Sequence, residues 1–241
     1  MKYKIFGDNL QLVILELEPN ERVYAEAGAM VYMSGNMVME AKAHGGIMKG
    51  LKRMLTGETF FMTHFYPQNG KGIVAFGGNA PGTIKPIQIT QQKDFIVQKD
   101  AFLVAEMGVD LDIAFQRRLG SAFFGGEGFI LQRLSGNGTV FIHACGDFVE
   151  MDLHPGQSLK VDTGCVVGWD STVSYDIRRA GNIKTAFFGG EGLFLTHLQG
   201  PGKVILQSMT LHNLARALVP FLPTSGETSG KGIVGGLLFD K

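Results

Sequence analysis

The 241 residues carry 22 basic and 22 acidic side chains, a formal charge of zero that argues against broad electrostatic binding to nucleic acid or anionic membrane. Apolar residues make up 45% of the chain, enough for a proper core, and no run approaches the ~20 apolar residues of a spanning helix. Glycine is the outlier at 34 residues, about twice its ordinary ~7% share and without a collagen period, which points to many tight turns between short strands.

The chain opens directly into a strand-like Lys2-Tyr3-Lys4-Ile5-Phe6. There is no basic–apolar–cleavage pattern, so no secretory or import leader is expected and a cytoplasmic location is. Glu26–Val31 leads through Ser34-Gly35-Asn36 into Met37-Val38-Met39-Glu40, a pattern that predicts a hairpin with one wet face. Beyond it, Ile47, Met48, Leu51, Met54 and Leu55 fall on one side if helical, opposite Lys49, Lys52 and Arg53. Such a basic amphipathic segment either lids its own core or lies on a membrane surface or partner groove. Gly57-Glu58 then opens a strand through Phe65, and after a turn at Gly70 a return strand covers Ile73–Phe76.

The same order recurs twice. Ile84–Ile89 alternates as a strand, and Lys99–Val104 leads through Gly108 into Val109-Asp110-Leu111-Asp112. Ala-Phe-Phe-Gly-Gly-Glu-Gly at Ala122–Gly128 opens a strand through Leu134, followed by Gly136, Gly138 and a return strand Val140–His143. Val149–Leu153 alternates next, and Asp162–Val167 leads through Asp170-Ser171-Thr172 into Val173-Ser174-Tyr175-Asp176. The heptapeptide returns verbatim at Ala186–Gly192, 64 positions on, and Gly200, Gly202 and Val204–Gln207 close the third round. The unit is thus copied three times, over about 1–71, 72–138 and 139–203, with an extension at 204–241. In the extension, Thr210 is placed to cap a short helix carrying Leu211, Leu214, Ala215 and Leu218 on one face, stopped by Pro220. A glycine-rich loop and an apolar Gly235–Phe239 plug follow, expected to pack back on the body or across a subunit boundary.

The expected fold is therefore all-β and a single repeat-built domain over 1–241. Its three internal repeats of short antiparallel strands sit around a pseudo-threefold axis in a barrel- or prism-like body, with a short C-terminal helix and tail. Gly50–Phe61, the two Phe-Phe-Gly-Gly-Glu-Gly segments and the Gly-Gly-Leu-Leu ending resemble the AIM24 (altered inheritance of mitochondria) family over nearly the whole chain. That resemblance implies an all-β fold similar to the tryptophan RNA-binding attenuation protein, a shortened double-stranded β-helix that tends to oligomerise. It implies no known activity. The absence of a leader favours a bacterial or archaeal member over the mitochondrial relatives linked to inner-membrane organisation.

Chemistry is sought where the copies agree or differ. Glu58, Glu127 and Glu191 hold one place in each copy, and repetition favours a structural corner acid over catalysis, which rarely needs three equal acids. His64, Arg133 and His197 follow six residues later, and arginine in the middle copy breaks any threefold metal site. His44, His143, His154 and His212 show no ligand spacing, so no metal and no cofactor are expected. The glycine corners match no phosphate-binding motif. Cys145 and Cys165 read as two buried, reduced thiols. A dibasic pair precedes every corner: Lys52-Arg53, Arg117-Arg118 and Arg178-Arg179. These six are the anion-binding candidates, as a collar for RNA or a phospholipid headgroup, unless they pair with the corner acids or with Asp112, Asp176 and Glu40. No Ser/His/Asp order or Cys/His pairing is readable. The expected function is a non-enzymatic scaffold that forms a homo-oligomer, with a protein partner or membrane surface as a further partner and nucleic acid not favoured. The alternatives are an anion or membrane-surface binder using the dibasic corners, and a small-molecule protein or enzyme with a site near Trp169.

Overall fold

A computed structural model describes residues 1–43, 61–117, 128–179 and 194–222. Among the described residues the alternating apolar runs form nineteen strands in chain order. The first seven are β1 (Lys2–Phe6), β2 (Leu12–Leu17), β3 (Val23–Glu26), β4 (Met30–Met33), β5 (Met37–Ala43), β6 (Phe61–Pro67) and β7 (Gly72–Gly77). Six more follow: β8 (Gly82–Ile89), β9 (Phe95–Gln98), β10 (Phe102–Glu106), β11 (Val109–Arg117), β12 (Phe129–Gly136) and β13 (Gly138–Cys145). The last six are β14 (Phe148–Leu153), β15 (Ser158–Asp162), β16 (Val166–Asp170), β17 (Ser174–Arg179), β18 (Phe194–Gln199) and β19 (Gly202–Gln207). One helix, α1 (Leu211–Leu218), ends the described chain, with the Thr210 hydroxyl accepting from the Asn213 amide at 3.0 Å as its cap.

The described strands build four antiparallel sheets, in the orders β1-β2-β7-β4, β5-β6-β3-β10-β13-β8, β11-β12-β9-β16-β19-β14 and β15-β18-β17. In each of the three groups of strands the last strand pairs back with an early one, β2 of the first seven and the leading strand of each later six, in β2·β7, β8·β13 and β14·β19. The bulge that interrupts each following pair also recurs, between Met30 and Tyr32, Phe102 and Val104, and Val166 and Gly168. The groups are joined by continuing a sheet: β10 pairs with β3, and β16 pairs with β9.

Two expectations are corrected here. The strands on either side of Ser34-Gly35-Asn36 do not form a hairpin, because β4 pairs with β7 and β5 with β6. The same holds at Gly108 and Asp170–Thr172, where the chain turns from one sheet into the next. The turn signals marked reversals, while burial of each strand against distant partners decided which sheet it entered. The barrel-like closure is also absent among the described residues, since β4 ends one sheet and β15 another.

Three apolar cores lie in series between these sheets. The first holds Val13, Leu15, Phe65, Phe76, Val104 and Phe141, with Phe65 and Phe76 edge to face at 5.1 Å. The second holds Tyr24, Phe95, Phe102, Leu111, Leu134 and Ile142, and the third holds Ile96, Phe129, Trp169, Ile177, Leu198 and Val204. Strands shared between cores read as unbroken apolar runs because both faces are buried, as in Phe95-Ile96-Val97.

Candidate functional site

Lys52, Arg53 and Arg118, the corner acids Glu58, Glu127 and Glu191, the amphipathic 47–55 segment and the 235–239 plug all lie outside the described residues. Arg117 closes β11, where its backbone pairs with Phe129. Arg178 and Arg179 end β17 and are exposed. Arg178 Nε donates to Asp176 Oδ2 at 2.6 Å, the internal pairing considered for these cations, and this bond holds the Asp176 carboxyl below its ordinary range. Glu40 is likewise engaged, accepting from Lys42 and from the Tyr66 hydroxyl at 2.7 Å.

The remaining candidates separate rather than converge. His64 is half-buried near the Tyr24 ring, and burial, with Lys42 nearby, lowers its pKa. Arg133 pairs with Asp94 at 3.0 Å. Among the described residues no three His, Cys, Asp or Glu side chains are arranged to hold a metal. Cys145 is buried, Cys165 half-buried, and neither is in a disulfide. Trp169 is fully enclosed in the third core with its ring 5.0 Å from Tyr175. Trp169, around which the alternative small-molecule site is expected, is thus itself a core side chain.

What the fold does bring together is a cavity of about 90 Å³, mixed polar and apolar, where the turns before β10 and β16 face the first turn of α1. Its walls include Gln98, Asp100, His143, Thr163, Gln207 and Thr210. Gln207 spans the floor, its Oε1 accepting from the Cys145 amide at 2.9 Å and its Nε2 donating to the Gly164 carbonyl at 2.8 Å. The Thr163 hydroxyl donates to the Phe194 carbonyl at 2.9 Å, and Asp162 Oδ1 accepts from the Gly164 amide at 2.9 Å. Gln98 Nε2 donates to Asp100 Oδ2 at 3.0 Å. His143 is buried beside Gly78, where a Cβ would lie 2.3 Å from the imidazole, and burial lowers its pKa despite a hydrogen bond to the Ala80 backbone. The cavity has room for a few ordered waters; Gln207, Thr163 and Asp162 spend hydrogen bonds on the backbone around it, and Gln98 on the Asp100 carboxylate.

Sequence reasoning marked Lys99-Asp100-Ala101 and Asp162-Thr163-Gly164 as recurring segments but missed this convergence. The available signal was their matched place before a strand; Gln98 and Gln207 are single polar residues in apolar strands and gave none.

Exposed apolar side chains cluster elsewhere. Val31 and Tyr32 on β4 are 57% and 45% exposed, and Tyr3 and Phe6 on β1 are also exposed. So are Leu211, Leu218, Val219 and Phe221 at and beyond α1. No described helix is long and apolar enough to cross a membrane.

Comparison with known proteins agrees with this architecture. The crystal structure of a Streptococcus pyogenes protein superposes with a TM-score of 0.77 at 27% identity, covering 92% of this chain and 99% of that one. An uncharacterized protein of Streptococcus pyogenes serotype M6 is 30% identical over 222 residues, 89% of this chain and 88% of the relative. The family model described as "Mitochondrial biogenesis AIM24" matches residues 3–209, and the chain belongs to the AIM24 family.

Proposed function

We propose that this protein is a non-enzymatic, cytoplasmic assembly module that associates with copies of itself through its sheet edges. The observation that carries the reading is the placement of exposed apolar residues. Val31 and Tyr32 lie on an edge strand without charge or proline, where an unprotected edge offers its backbone to another strand. Gln207 and Thr163 in the cavity wall support the same reading, because they brace turns of this chain. Size-exclusion chromatography with light scattering across the micromolar range tests it. A mass that rises with concentration above 26.1 kDa is expected, and a constant monomer mass overturns it.

A second reading, binding of an anionic surface, is favoured by the exposed Arg178 and Arg179, consecutive at the end of β17 with Arg178 also paired to Asp176. Pull-downs with anionic liposomes and with RNA at two salt concentrations test it; absent or salt-independent binding overturns it.

A further inference from the structure

The chain makes one kind of joint twice, and the two strands equivalent to a third joint each end a sheet among the described residues. In the first joint Val104, Ala105 and Glu106 lie opposite Ala25, Tyr24 and Val23, and the Met107 amide adds a bond to the Arg22 carbonyl at 3.4 Å. In the second, Gly168, Trp169 and Asp170 lie opposite Val97, Ile96 and Phe95, and the Ser171 amide bonds the Asp94 carbonyl at 3.1 Å. The two registers are the same.

The third set of positions follows from the pairings inside each group. Tyr32 sits opposite Ala75 as Val104 sits opposite Phe141 and Gly168 opposite Ile205. Val161 sits opposite Thr196 as Ala25 sits opposite Thr63 and Val97 opposite Gln132. The β4 half is therefore Tyr32-Met33-Ser34, and the β15 half is Val161-Lys160-Leu159. Within the chain these two strands end different sheets and do not pair. Burial records the difference: β10 and β16 are buried along nearly their whole length, whereas both central residues of β4 are exposed.

We propose that β4 of one chain pairs with β15 of a second copy in the register of the two internal joints. Tyr32 is then opposite Val161, Met33 opposite Lys160 and Ser34 opposite Leu159. This deepens the assembly reading above and rests on it for the association of the wild-type chain. The faces agree: Val161 belongs to the third core, which Tyr32 would extend, and Met33 packs on the first. A β4-to-β15 contact is heterologous, so copies add head to tail into a ring or an open filament according to the rotation per step.

Lys160 distinguishes this joint. It stands where the internal joints place the buried Tyr24 and Ile96, and a charge pointing inward on an edge strand weakens pairing. Its stem can line the joint only with the ammonium carried out to the rim. The intermolecular joint is accordingly weaker and reversible where the internal two are permanent.

Sedimentation and light scattering on the full chain test this with two variants, each checked for wild-type circular dichroism. Tyr32→Lys places a charge on the exposed ledge and lowers association about tenfold or more, and Lys160→Ile raises it by a similar factor. The gain in Lys160→Ile is removed by adding Tyr32→Lys. Association of the wild type that either single variant leaves unchanged overturns the joint while leaving the assembly reading in place. A monomeric wild type with an associating Lys160→Ile, reversed by Tyr32→Lys, upholds the joint and overturns the assembly reading. Monomers throughout overturn both.

Discussion

The Tyr24 hydroxyl donates to the Val109 carbonyl at 2.9 Å, a buried bond between residues 85 positions apart. Tyr24 comes from β3 in the first group of strands and enters the second core, where its ring stacks on Phe102 at 5.8 Å. One side chain thus ties two groups by packing and by hydrogen bonding. Tyr24→Phe keeps the packing and is expected to cost about 1 kcal/mol, and Tyr24→Ala about 3–5 kcal/mol. Urea unfolding followed by circular dichroism measures both.

The same residue predicts alkaline behaviour. Burial, with Asp110 nearby, raises the Tyr24 pKa above its ordinary value, so the folded chain keeps a proton that the unfolded chain releases. Its contribution is complete below the unfolded pKa of about 10 and declines as pH rises beyond it. Stability measured between pH 9 and 11 should fall more steeply in wild type than in Tyr24→Phe. Equal slopes would assign the decline to other groups.

His143 predicts the acid counterpart. Burial depresses its pKa, so the unfolded chain takes up a proton that the folded chain refuses. Stability is complete above the unfolded value of about 6.5 and is lost as pH falls through and below it. His143→Gln should flatten the change in Tm between pH 7.5 and 5.5. Half-buried His64 shifts in the same direction, so the flattening is partial.

Gly82 tests the seam between strand groups. A Cβ there would meet the Ala144 carbonyl oxygen at 1.8 Å, a contact with rigid backbone. Gly82 also bridges to both Leu10 and Gly146, so any shift propagates to three strand ends. Gly82→Ala is expected to cost about 2 kcal/mol or more, read as a lowered urea midpoint.

Strand positions were legible in the sequence because alternation survives where one face is wet, as in β14 with Val149–Leu153. The helix cap at Thr210 was legible because a hydroxyl before an apolar stripe has one local use. Pairing was not. Ser34-Gly35-Asn36 looks like a hairpin turn, yet Asn36 Nδ2 donates to the carbonyls of Asn69 and Lys71, and Ser34 Oγ accepts from the Ile73 amide. The turn is stitched to a chain reversal more than thirty residues away, which no local pattern encodes. The cavity network stayed hidden for the same reason, since Gln207 and Thr163 acquire their partners only when distant strands meet.

The unbroken run Phe95-Ile96-Val97 has a further consequence for folding fidelity. Ile96 belongs to the third core and Val97 to the second, so alternate residues of β9 answer to different neighbours. A slip of one residue would exchange those loyalties and spoil two interiors at once. Such a strand proofreads its own alignment: the error that a one-sided strand might tolerate is penalised here on both sides of the same ribbon.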